Sequence, residues 1–150
     1  MTMNPDYKRT QLTRLANTAV QFISTGIETL AVLNSIARND LSLGTTLTAG
    51  NYFCTVQYRR VYRIIFSTYV FANPGTMTNG QIQLYINGVA TALAQSRYTS
   101  QVCIQGQWIG ELKPGDQLLL RGLISGGGSP SIGDVGGYPG MQTSLNIIEI

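Results

Sequence analysis

Two stretches constrain the fold of this chain more than any other part of it: Gly80-Gln81-Ile82-Gln83-Leu84-Tyr85-Ile86-Asn87-Gly88-Val89 and Trp108-Ile109-Gly110-Glu111-Leu112-Lys113-Pro114-Gly115-Asp116-Gln117-Leu118-Leu119-Leu120. In the first, apolar and polar residues alternate up to Asn-Gly, the dipeptide that supplies the two positive-φ residues of a type I′ hairpin turn. In the second, Lys-Pro-Gly-Asp interrupts an extended run. Pro presets φ, Gly accepts a left-handed conformation, and Asp closes the turn through its side chain. Both stretches encode antiparallel sheet.

The same texture runs through most of the chain. From Thr18 onward β-branched and aromatic residues dominate, and ten strands are predicted over 19–24, 29–33, 41–47, 52–57, 61–71, 81–86, 89–94, 101–112, 117–124 and 143–150. Absence of a convincing helix between them excludes a βαβ plan and points to an all-β sandwich. Helical spacing is confined to the start. There Asn4 suits a cap, Pro5 the first helical position, and Leu12, Leu15, Ala16 and Ala19 would share a face. An extended arm fits those residues equally, so residues 1–18 are expected to be an N-terminal arm and 19–150 the domain. Residues 125–140, rich in Gly, Ser and Pro, read as a long flexible loop before the last strand.

Strand 61–71 carries Tyr62, Ile64 and Phe66 at even positions and Ile65, Tyr69 and Phe71 at odd ones. Apolar residues on both faces require cover on both, from a second sheet and from a neighbouring subunit or loop. Charged residues make up only 11% of the chain, so little repulsion keeps copies apart and an assembly subunit is expected.

Chemistry is excluded more than it is indicated. The chain has no histidine, which removes Ser-His-Asp and Cys-His catalysis and His-ligated zinc. No phosphate-binding glycine loop or nucleophile elbow is present, and the seven acidic residues are spread singly. No enzyme activity, cofactor or metal is therefore expected. Cys54 and Cys103 sit in apolar strands and read as free, buried small hydrophobes. No apolar run is long enough for a membrane helix.

The net charge of +3 is scattered, which argues against a nucleic-acid partner. Lys8, Arg9 and Arg14 form a basic cluster suited to docking an arm on an acidic surface. In Tyr58-Arg59-Arg60-Val61-Tyr62-Arg63, alternation puts Arg59 and Arg63 on one face and Arg60 with Tyr58 and Tyr62 on the other. Arginine interleaved with tyrosine suits phosphate and base contact as well as subunit contact. The second is preferred, with Arg59, Arg60, Tyr62, Arg63 and Phe66 as trimer or partner contacts. Trp108 reads as core; with Tyr138 of the glycine-rich segment, it is the alternative receptor or glycan contact.

The order of these pieces over 19–150 resembles the C1q/TNF-like jelly-roll family. Ala19-Val20-Gln21-Phe22 is similar to its opening strand and Leu33-Asn34 to its first internal turn. Val61-Tyr62 resembles a strand start at which the family usually has a glycine near Arg60. Leu84-Tyr85-Ile86-Asn87-Gly88 and Glu111-Leu112-Lys113-Pro114-Gly115-Asp116-Gln117-Leu118 match most closely, and Thr143-Ser144-Leu145-Asn146-Ile147 resembles the closing strand. The resemblance implies a ten-strand, two-sheet jelly roll, a compact homotrimer about an apolar axis, and no catalysis. Many members bind calcium near the trimer top through acidic residues, for which only Asp116 and Asp134 stand in suitable loops here.

Unlike the extracellular members, this sequence shows no collagen-like stalk and no secretion signal. The expectation is a protein assembled in a host cytoplasm and placed on a virion surface. By analogy with phage structural proteins it would be a trimeric capsid decoration (cement) protein or a fibre head. Its partner would be the major capsid protein or another virion component. The alternatives are a viral module that binds a host receptor or glycan, and a secreted C1q-like ligand.

Overall fold

The computed structural model describes residues 12–41, 44–48, 51–72, 74–133 and 142–150. Its strands are Leu12–Ala16 (β1), Gln21–Phe22 (β2), Thr29–Leu30 (β3), Ser35–Asn39 (β4), Gly44–Thr48 (β5), Asn51–Thr55 (β6) and Arg60–Phe71 (β7). They continue as Met77–Ile86 (β8), Val89–Ser96 (β9), Gln101–Leu112 (β10), Gln117–Gly126 (β11), Ser131–Ile132 (β12) and Ser144–Glu149 (β13). No helix occurs among the described residues. Two antiparallel sheets form: in the first, β7 lies between β10 and the β13/β12 pair, with β1, β4 and β2 beyond; the second runs β5-β6-β11-β8-β9, with β3 also on β11.

Strand β7 organises the core. Its β-branched and aromatic residues favour the pleated conformation, and its twelve residues pair with β10 from Arg60↔Leu112 to Phe71↔Gln101 without a register shift. Tyr62, Ile64, Phe66 and Val70 point inward, none more than 1% exposed, and meet Ile82, Leu84, Leu118, Leu120 and Ile124 of the facing sheet. Each such side chain stabilises the fold by about 1.5–3 kcal/mol. The one buried hydroxyl in this set is satisfied, because Tyr62 Oη donates to Tyr58 O at 2.9 Å.

Both turns form as the sequence requires. Asn87 and Gly88 have φ of +53° and +77°, closing the β8–β9 hairpin. Asp116 N donates to Lys113 O at 3.1 Å around Gly115 at φ +87°. Because β10 and β11 belong to different sheets, the Lys113–Asp116 turn carries the chain across the sandwich.

Two expectations are corrected. Residues 12–16 are neither helix nor arm: β1 lies between β13 and β4, with Thr13 and Leu15 at 0% exposure and Ala16 at 1%. The first strand thus begins ahead of the expected start at Ala19. Its helical spacing is overridden by pairing with a strand some 130 positions later, as the Arg14 to Asn146 bond across 132 positions illustrates. The segment expected to be a loop over 125–140 is ordered as far as it is described. β11 runs on to Gly126, and Ser131 and Ile132 pair with both β2 and β7 and are buried.

Candidate functional site

Register places a defined set of side chains on the outer face of the first sheet, opposite the core. On β7 these are Val61, Arg63, Ile65, Ser67, Tyr69 and Phe71; on β10, Gln101, Cys103, Gln105, Gln107, Ile109 and Glu111; on β13, Ser144, Asn146 and Ile148. Val61 is 45%, Ile109 56% and the adjoining Ile150 69% exposed. Ile65, Tyr69, Phe71 and Ile148 are half-buried and Cys103 is exposed. The Tyr69 and Phe71 rings stack at 6.4 Å, and Tyr69 Oη donates to Gln101 Oε1 at 2.6 Å. Polar side chains fill the middle: Ser67 and Ser144 hydroxyls lie 2.9 Å apart, and Arg14 Nη1 donates to Asn146 Oδ1 at 3.1 Å.

This outer face is the candidate contact surface, and the expected contacts divide between the two faces of β7: Arg63 lies on the outer one, Tyr62 and Phe66 do not. Tyr62 and Phe66 are core residues at 1% and 0% exposure, so neither is available to a partner. The reason is strand parity: even positions of β7 face the other sheet. The odd positions Ile65, Tyr69 and Phe71 supply the apolar surface, and their alternation with the core set was visible in the sequence. Ile109, Ile148 and Ile150 carried no comparable signal, since only pairing with Arg63 and Val61 brings them here.

The arginines follow the expected alternation. Arg63 donates from Nε and Nη2 to Gln107 Oε1 at 3.2 and 3.0 Å on the outer face. Arg59 pairs with Glu111 at 2.8 Å, and Arg60 pairs with Glu149 at 2.5 Å while stacking over Tyr58. These exposed pairs shape the rim of the face and contribute little to stability. Arg14 belongs to β1, so it is a sheet residue and not part of an arm. Lys8, Arg9, Asp134 and Tyr138 lie outside the described residues.

Trp108 takes the inward parity of β10 and packs against the core with its ring over Gly110, where an added Cβ would lie 2.4 Å from the ring. It is half-buried. Both cysteines are free, but only Cys54 is buried, and burial pushes its thiol up to about 12. Cys103 departs from the expected buried setting because its parity on β10 is outward.

Asp116 holds two turns together. Its Oδ2 accepts from Lys113 N and its Oδ1 from Asn87 Nδ2, each at 2.9 Å, while Asn87 Oδ1 accepts from Gln117 N at 2.9 Å. The Lys113 amide, and then the Asn87 side chain, lower the carboxyl's pKa below its ordinary value. The turn role expected of Asp116 is thus observed, and the two most diagnostic sequence stretches prove to be in direct contact.

No protein-family profile matches the chain, and no curated protein matches it in sequence. Solved structures do match in three dimensions. Eiger TNF from S. frugiperda has a TM-score of 0.65 at 12% identity, over 95% of this chain and 94% of that one. Murine APRIL has a TM-score of 0.61 at 11% identity over 95% and 100%. The globular domain of zebrafish complement 1qA protein has 0.60 at 9% identity over 93% and 97%. Together with two antiparallel sheets in this order, these similarities show that the chain has the C1q/TNF-like jelly-roll fold.

Proposed function

We propose that the protein is a non-enzymatic assembly subunit, a homotrimer that serves on a virion surface as a capsid decoration protein or fibre head. The observation that carries the trimer is the outer face of the first sheet, where Val61, Ile65, Tyr69, Phe71, Ile109 and Ile150 form an apolar surface that no other described residue covers completely. The β9 edge beside β10 exposes Val89 at 65% and Leu93 at 46%. A ring in which this edge of one copy meets the sheet face of the next buries both apolar sets and closes upon itself. The segment ahead of Leu12, with Lys8 and Arg9, supplies the basic docking element, and its partner is an acidic surface on the major capsid protein or another virion component.

Light scattering at micromolar concentration tests the trimer. The expected mass is three times the 16.3 kDa of one chain. Ile109→Asp should shift it towards the monomer with the circular dichroism spectrum unchanged. A monomeric wild-type protein rejects the assembly reading. The virion role is tested by incubating purified protein with particles lacking decoration and sedimenting them. Loss of cosedimentation on charge reversal of Lys8 and Arg9 supports the docking element, and failure of the wild type to sediment with particles rejects it.

A further inference from the structure

Asn-Gly, the sequence at Asn87-Gly88, is the dipeptide type least protected against attack of the backbone on its own side chain, because glycine carries no Cβ beside its nitrogen. In that reaction Gly88 N, losing its proton, bonds to Asn87 Cγ; the bond from Cγ to Nδ2 breaks and ammonia leaves. Water then opens the cyclic imide at one carbonyl or the other, leaving aspartate or isoaspartate. Both residues are exposed at the tip of the β8–β9 hairpin, so solvent access alone offers no shelter.

The side chain is nevertheless held at both ends. Asn87 Oδ1 accepts from Gln117 N, Nδ2 donates to Asp116 Oδ1, and Asn87 N donates to Gln117 O, each at 2.9 Å. Asp116 is itself buried and fixed by Lys113 N. Swinging Cγ towards Gly88 N breaks both side-chain bonds, one of them to a carboxylate. We propose that Asn87-Gly88 is a latent deamidation site that the Asp116–Gln117 clasp holds unreactive and that reacts when the Lys113–Asp116 turn separates from the hairpin. The change is one-way: aspartate at 87 has no amide donor and sets a carboxylate against Asp116, while isoaspartate adds a backbone carbon to a two-residue turn.

A second Asn-Gly pair provides an internal reference. Asn79-Gly80 lies within β8, where Gly80 pairs with Ile124 on one side and Ser96 on the other. Its reaction requires separation of strands, not the lifting of one turn.

The test follows both sites by peptide mass spectrometry at neutral pH and 37 °C, in native protein, in urea-unfolded protein and in Asp116→Ala. Loss of a charge-assisted bond and its partner predicts that native Asn87 reacts slower than the unfolded chain by about tenfold or more. Asp116→Ala should accelerate Asn87 and leave Asn79 slow. To guard against a variant that does not fold, native wild type is titrated with urea below its unfolding transition, where Asn87 should accelerate before Asn79. Equal rates at Asn87 in native and unfolded protein, or acceleration of Asn79 at or before Asn87 in the urea series, overturn the proposal.

Discussion

Removing residues 1–17 should abolish folding, whereas removing residues 1–11 should not. β1 makes five register pairs with β13 and four with β4. An antiparallel ladder carries about one hydrogen bond per pair, and each contributes about 0.5–1.5 kcal/mol net. Burial of Leu15 adds about 1.5–3 kcal/mol. That loss is comparable to the whole stability of an ordinary domain, about 5–15 kcal/mol. The milder Leu15→Ala should cost about 2–5 kcal/mol, lowering Tm by about 4–20 °C for a domain of this size. Thermal unfolding followed by circular dichroism and Trp108 fluorescence measures all three proteins. A chain beginning at Thr18 that unfolds cooperatively at the full-length Tm would refute the placement of β1 as a structural strand.

Three further outcomes are expected. Gly106→Ala puts a Cβ 2.5 Å from the Phe66 ring and 3.2 Å from Ala94 Cβ, so the urea midpoint should fall by the equivalent of about 1–3 kcal/mol; an unchanged midpoint contradicts the close β10–β7 packing. Native Cys54 should resist a thiol reagent at about pH 8.5, where an ordinary thiol is half ionised, and become reactive on unfolding; native labelling at the rate of free cysteine contradicts its burial. The depressed pKa of Asp116 adds stability above the unfolded value of about 3.9, lost as pH falls through the folded value. The advantage of wild type over Asp116→Asn in urea should therefore shrink below about pH 4, and a gap independent of pH removes the clasp as its source.

Turns and isolated strand periods are local properties, and those were legible. The predicted strand 101–112 coincides with β10, Asn87-Gly88 and Pro114-Gly115 turn as their residue types dictate, and Asp116 closes its turn. The opposite faces of Arg59 and Arg60 also followed from alternation alone. Which face of β7 looks inward did not. An alternating strand that is apolar on both sides is symmetric to local inspection, and pairing with β10 and β13 under a second sheet sends Tyr62 and Phe66 to the core and Tyr69 and Phe71 outward.

The sequence by itself determined the all-β class, the turn chemistry and the absence of histidine-based sites, because these depend on residue type and near neighbours. Tertiary structure alone decided that Leu12–Ala16 is a central strand, that Ser131–Ile132 is a buried one, that Cys103 is exposed, and that Asn87 clasps Asp116 across 29 positions. Each of those outcomes rests on contacts between segments far apart in the chain. Pairing energy and burial there outweigh local preference, and no window of neighbouring residues contains the partner.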